Sequence, residues 1–278
     1  MVSALWQNNR WLISVPPRPL TASHLALVDR RPDREIDLDA AAALVDAYRR
    51  CRAALWQVAG SRGFRVSFPI GWKPDQRGIG EPEPIAGAGR VVHVFGRGPG
   101  DGISPTMAMA VPRDERHPYI VDSARRDALV AALDAPAKIN IATPSTDECD
   151  GCWPEVLTKQ ERWRADGVRV IRPRGVLIDA QVIMLPLRHV VSLGDLEPTE
   201  IVSIGARLIE VRGQFQQACG VTGLSCFAND GSAARQETPH VHIHVFGRSR
   251  DERVNPFELL GRRLSRSVDD AGSGGDDR

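Results

Sequence analysis

The chain has 278 residues, 42% hydrophobic and 26% charged, with a formal net charge of +1. That length supports one large core or two ordinary ones, and the near-neutral balance does not point to nucleic acid or an anionic membrane as partner. No apolar run reaches the roughly 18 residues that span a bilayer. The start, MVSALWQNNRWLISVPP, lacks the basic end and apolar run of a signal peptide, and five cysteines do not describe a disulfide framework, so a cytoplasmic protein is expected.

In chain order, residues 11–17 and 24–29 read as short strands. From Asp37, DLDAAAALVDAYRRCRAALWQVAG repeats its apolar positions at three and four and stops at Gly60, which predicts a helix. GFRVSF is a strand, residues 71–89 form a Gly/Pro-rich loop, and RVVHVFGR is the next strand. AVPRDERHPY and a helix over residues 122–134 read as a linker. Then QVIMLPLRHVVSL predicts a strand and turn, DLEPTEIVSIGARLIEVRGQFQQACG a helix ending at Gly220, GLSCFANDG a strand and turn, and PHVHIHVFGR a last strand. SRSVDDAGSGGDDR lacks apolar content and predicts a disordered tail.

The order strand, D-L-[DE], helix ending in Gly, strand, loop, H-V-F-G-R occurs twice. The copies are 158 residues apart at Asp37 and Asp195 and 151 apart at His93 and His244. Such a repeat of a whole supersecondary unit predicts two similar halves in one chain.

His240, His242 and His244 occupy alternate positions, so in a strand they share one face while Val241, Ile243 and Val245 pack the other. Their Cα atoms fall about 6.8 Å apart, and the outer pair about 13 Å apart. One tetrahedral ion reaches two such rings comfortably but hardly all three, so at least one imidazole is left for other work. An H-x-H pair also serves iron-dependent oxygenases, which require a carboxylate ligand as well.

HVHIHVF resembles the His-φ-His-φ-His-φ-φ signature (φ apolar) of the histidine triad nucleotide-binding proteins. The resemblance runs from Cys149 to Arg250. It takes in NDG at Asn229–Gly231, Gln236, and the Pro-basic-His turn of VIMLPLRHVVSL. It implies an α+β fold of antiparallel sheet and packed helices, with two such domains forming an intrachain pseudo-dimer. The implied division is a degenerate domain over 1–120, a linker helix over 121–136, a catalytic domain over 137–262 and a tail over 263–278. By the same resemblance His242 is the nucleophile toward the α-phosphorus of a nucleotide, and His244 donates to oxygens that gain charge or leave. Asn229 and Gln236 supply neutral donors to phosphate or ribose.

The resemblance also implies a structural zinc. Family members and the related galactose phosphate uridylyltransferases often bind one through a C-x-x-C, a His after the Pro-basic turn, and the first triad His. Those positions here are Cys149, Cys152, His189 and His240. A closed Cys₂His₂ tetrahedron is structural, and it leaves His242 and His244 for chemistry.

The first half matches the pattern without its chemistry. Val91 stands at the nucleophile position, Gly89 at the first triad position and Pro32 where His189 would be. His93 is then expected to be a packed or surface residue. The chain makes two departures from the family: Arg172 and Arg174 lie where an acidic ribose ligand is common, and Glu237 where a small hydroxyl residue is common. The expected activity is a nucleotide hydrolase acting on a nucleotide conjugate. The alternatives are a nucleotidyltransferase of the uridylyltransferase type and a non-catalytic nucleotide-binding protein. The chain is expected as a monomer with an intrachain pseudo-dimer, or as a homodimer.

Overall fold

A computed structural model describes residues 3–262, apart from 76, 99–100, 102, 138, 140–144 and 154–158. The tail expected over 263–278 lies outside the described residues. Ten strands form one continuous sheet in the order β1-β2-β3-β5-β4-β9-β10-β8-β7-β6, and every neighbouring pair is antiparallel. The first half supplies β1 (Trp6–Gln7), β2 (Trp11–Ser14), β3 (His24–Asp29), β4 (Gly63–Ile70) and β5 (Val91–Arg97). The second half supplies β6 (Glu161–Ala165), β7 (Val168–Ile171), β8 (Gln181–Pro186), β9 (Gly223–Asp230) and β10 (Ile243–Arg248). The five-strand orders mirror each other about the β4–β9 pair, where Val66 faces Ala228 and Ser67 faces Phe227. The expected pseudo-dimer is thus one sheet with no free edge at its centre.

Each half lays a long helix on the same side of the sheet, α1 (Leu38–Ala59) in the first and α4 (Pro198–Cys219) in the second; α2 (Pro105–Ala110) and α3 (Ser123–Asp134) lie between them in sequence. α1 starts where Asp37 accepts from the Ala40 amide, and α4 where Glu197 and Glu200 form a reciprocal capping box. Both helices stop at a glycine in the left-handed region, Gly60 at φ 63° and Gly220 at φ 67°, a conformation that a side chain would strain. Beneath α1 pack Leu27, Phe64, Val66 and Val94; beneath α4 pack Cys226, Ala228, Ile243 and Val245. Strand alternation sends the intervening residues, including Arg65, Phe227, Asn229 and His244, to the opposite face.

Several boundaries differ from the sequence expectation. α4 begins at Pro198 rather than Asp195, because Pro198 disfavours helical backbone at the preceding residue. Leu193–Asp195 instead makes a 3₁₀ turn closed by Ser192. β10 begins at Ile243, not at His240: continuing its register would set Val241 against Pro186, which has no N–H for the ladder. The Val241 amide donates to the Val190 carbonyl. α3 is more than a linker, since Leu129, Ala132 and Leu133 pack into the core beneath α1. Among the described residues no helix is long and apolar enough to cross a membrane.

Candidate active site

The triad is set at the start of β10 by hydrogen bonds that fix each ring differently. His240 is buried, and its Nε2–H donates to the Pro186 carbonyl at 3.0 Å, so its Nδ1 lone pair points away from that strand. His242 is half-buried; its Nδ1–H donates to the His240 carbonyl at 2.8 Å, which leaves Nε2 as the free, nucleophilic nitrogen. The His244 ring lies 5.1 Å from that of His242 and stacks on Phe227 at 4.5 Å. Burial, reinforced by His242 and Arg65, pushes His244 well below the ordinary histidine range, so it is a neutral ring near pH 7.

Cys149, Cys152, His189 and His240 converge, their ligand atoms all within 4.8 Å of one another. Nδ1 of His240 lies 3.7 Å from Cys149 Sγ and 3.4 Å from Cys152 Sγ, and Nδ1 of His189 lies 3.3 Å from Cys152 Sγ. A tetrahedral zinc with bonds of about 2.3 Å to sulfur and 2.0–2.1 Å to nitrogen separates such ligands by about 3.5 Å. The donor set therefore fits zinc. Gly151 belongs to this fit, because a Cβ there would meet the His240 Cβ at 2.8 Å.

A cavity of about 890 Å³ opens over His242 and His244 on the face away from the helices. Ile171, Ile183 and Leu185 give it an apolar wall, and the half-exposed Trp153 stands at its rim. Asn229 lines it, with its Oδ1 accepting from Arg65 and its Nδ2 donating to the Arg235 carbonyl. Gln236 does not line it. Its Oε1 accepts from the Gly231 amide at 2.6 Å and its Nε2 donates to the Val191 carbonyl at 2.9 Å. Gln236 thus braces the turn before the triad with both polar atoms, and these contacts use one of the two N–H groups on its Nε2. Arg174 and Glu237 both border the cavity; Arg172 lies 3.8 Å from Asp179.

The first half reaches this cavity, which motif spacing does not indicate. Arg65 on β4, Arg97 at the end of β5 and the segment around Thr106 line it. Arg65 lies 3.8 Å over the Phe227 ring, and burial together with Arg97 pushes its pKa down to about 9. His93, by contrast, is packed as expected. Its Nδ1 is 2.9 Å from His24 Nε2 in a buried pair against Phe95.

Known proteins resemble this chain in a family pattern and in fold. Residues 165–251 match the HIT domain family. A bis(5'-nucleosyl)-tetraphosphatase [asymmetrical] of Schizosaccharomyces pombe is 27% identical over 74 residues, 27% of this chain and 41% of the relative's length. An ADP-glucose phosphorylase from Arabidopsis thaliana, solved with bound ADP-glucose, is similar with a TM-score of 0.52 at 11% identity, covering 90% of this chain and 76% of that one. A GalT-like protein from the same plant reaches 0.51 at 12% identity, over 90% and 77%. At these identities the likeness is one of fold.

Proposed function

We propose that the chain is a nucleotide hydrolase that acts at the α-phosphate of a nucleotide conjugate through a covalent nucleotidyl-His242. The observation that carries this is the tautomer of His242, which lines the cavity: a carbonyl can only accept, so the proton sits on Nδ1 and the lone pair on Nε2. Nε2 forms a bond to the α-phosphorus as the bond from phosphorus to the leaving-group oxygen breaks. The neutral His244 beside it donates an N–H to the oxygen that gains charge. Water then attacks the phosphorus, releases the nucleotide and restores His242. The wall of Ile171, Ile183 and Leu185 suits a flat nucleobase. A structural zinc held by Cys149, Cys152, His189 and His240 fixes the strand start on which His242 stands. The relative's name, a nucleosyl tetraphosphatase, supports the hydrolase reading.

A transferase of the uridylyltransferase type is the second reading. The cavity volume, about 890 Å³, leaves room for an acceptor phosphate beside the nucleotide. Both are tested by intact-mass measurement after incubation with a panel of nucleotide conjugates. A nucleotidylated chain, absent in His242→Ala, is expected. Discharge by water alone marks the hydrolase, and discharge requiring an added phosphate compound marks the transferase. Binding with no adduct, and turnover retained in His242→Ala, leaves a nucleotide-binding protein or another nucleophile.

A further inference from the structure

Arg65 belongs to the half without catalytic histidines, yet it borders the catalytic cavity. It is 7% exposed, and among the described residues neither its Nε nor its Nη2 has a hydrogen-bond partner. Its one recorded polar contact runs from Nη1 to Asn229 Oδ1 at 3.4 Å, and its guanidinium otherwise rests on the Phe227 ring. A buried guanidinium with two unpartnered nitrogens and no carboxylate lacks the anion its chemistry calls for. The neighbouring charges do not supply one. Asp101 pairs with Arg97 at 3.2 Å, and the further carboxylates at the cavity, Asp150 and Glu237, make no recorded pair with Arg65.

Position specifies which anion. Arg65 stands on β4 and His244 on β10, with β9 between them and the Phe227 ring in contact with both. Two strand spacings are about 9.6 Å, more than one tetrahedral phosphate covers. We infer that Arg65 is a substrate-binding residue contributed by the inactive half, holding a phosphate beyond the one that His242 attacks. The substrate class is then a nucleotide phosphoanhydride with two or more phosphates in a chain, rather than a nucleotide ester or amide with an uncharged leaving group. This rests on the nucleotide reading of the site.

The test is calorimetric binding of inorganic tripolyphosphate and of adenosine monophosphate to the full chain and to Arg65→Met, which keeps an apolar stem against Phe227. Arg65→Met is expected to weaken tripolyphosphate by about tenfold or more and the monophosphate by less than about threefold. Equal losses on both ligands, no loss on either, or a parent chain that does not bind tripolyphosphate would overturn the inference. If Arg65→Met does not fold, Arg65→Lys is read on the same comparison, with a selective loss of about threefold expected because an ammonium lacks the planar fork. An unchanged Lys variant overturns the inference equally. Failure of the covalent chemistry is read separately: selective phosphate loss without any nucleotidylated chain keeps the anion site and removes the role of His242.

Discussion

At the residue scale, two histidine pairs of the same chain have opposite uses. His242 and His244 face a cavity, whereas His24 and His93 are sealed against Phe95 with a 2.9 Å contact between ring nitrogens. One proton between the two neutral rings fills that contact, and an added positive charge has no water to solvate it. Burial pushes His93 down to about 3 and His24 well below its ordinary range. In the unfolded chain both titrate near 6.5. Folding stability is therefore fully present above about pH 6.5, and it is lost as pH falls from there toward about 3, because the unfolded state binds the extra protons. His93→Asn should flatten this acid limb of the melting temperature between pH 7 and 4. A variant that loses stability with acid as steeply as the parent would remove His93 as its source. Another buried polar residue joins the halves: the Tyr48 hydroxyl donates to Asp230 at 2.6 Å, and Asp230 also accepts from Ser192 at 2.9 Å. Tyr48→Phe leaves that carboxylate with one donor fewer and should cost about 1–3 kcal/mol in denaturant unfolding. An unchanged midpoint would show that the remaining donors suffice.

At the scale of elements, the start of β10 links metal to nucleophile. His240 contributes its ring to the Cys₂His₂ group and its carbonyl to the Nδ1–H of His242. Cys149→Ser should lower zinc below one per chain, reduce the melting temperature, and reduce turnover beyond the loss of folded protein. Elemental analysis with melting and activity assays checks this; a metal-free parent that melts and turns over normally refutes the site. Much of this segment is legible in the sequence, because C-x-x-C, Pro-basic-His and alternating histidines are local patterns with fixed chemistry. The long helices are legible for the same reason, from their periodicity and their glycine stops. What sequence hides is one local strand pair of weak alternation and two roles set by non-local contacts. The β6–β7 hairpin carries Arg162, Arg164 and Arg169, so its apolar alternation is weak, although Asp166–Gly167 at φ 48° and 76° is a turn signal. Gln236 looks free in sequence, but the amide it braces and the carbonyl it meets are set by the fold. Arg65 gives no local signal at all. Its role depends on β4 lying beside β9, a pairing across more than 150 residues of chain.

At the scale of the whole molecule, that pairing decides whether the halves are separable. β4 and β9 run antiparallel along their length from Phe64–Asp230 to Ile70–Leu224, at the centre of the sheet. Removing the first half would expose the β9 edge as a row of unpaired amides and carbonyls. It would also strip Asp230 of Tyr48 and Arg52, and Phe227 of Arg65. Residues 136–278 alone should therefore aggregate or pair with a second copy of themselves through β9, restoring a ten-stranded sheet between chains, whereas the full chain has this edge filled within itself. Light scattering with size-exclusion chromatography distinguishes these states. A homodimer of the fragment would carry Ser67's partner Phe227 against a second Phe227 strand, with no arginine at the position of Arg65, since the equivalent residue of β9 is Ser225. Such a dimer could recover the fold and the zinc group yet bind tripolyphosphate weakly. A fragment that is monomeric, soluble and as active as the full chain would mean that the first half is dispensable, and that the central strand pair contributes neither to stability nor to the site.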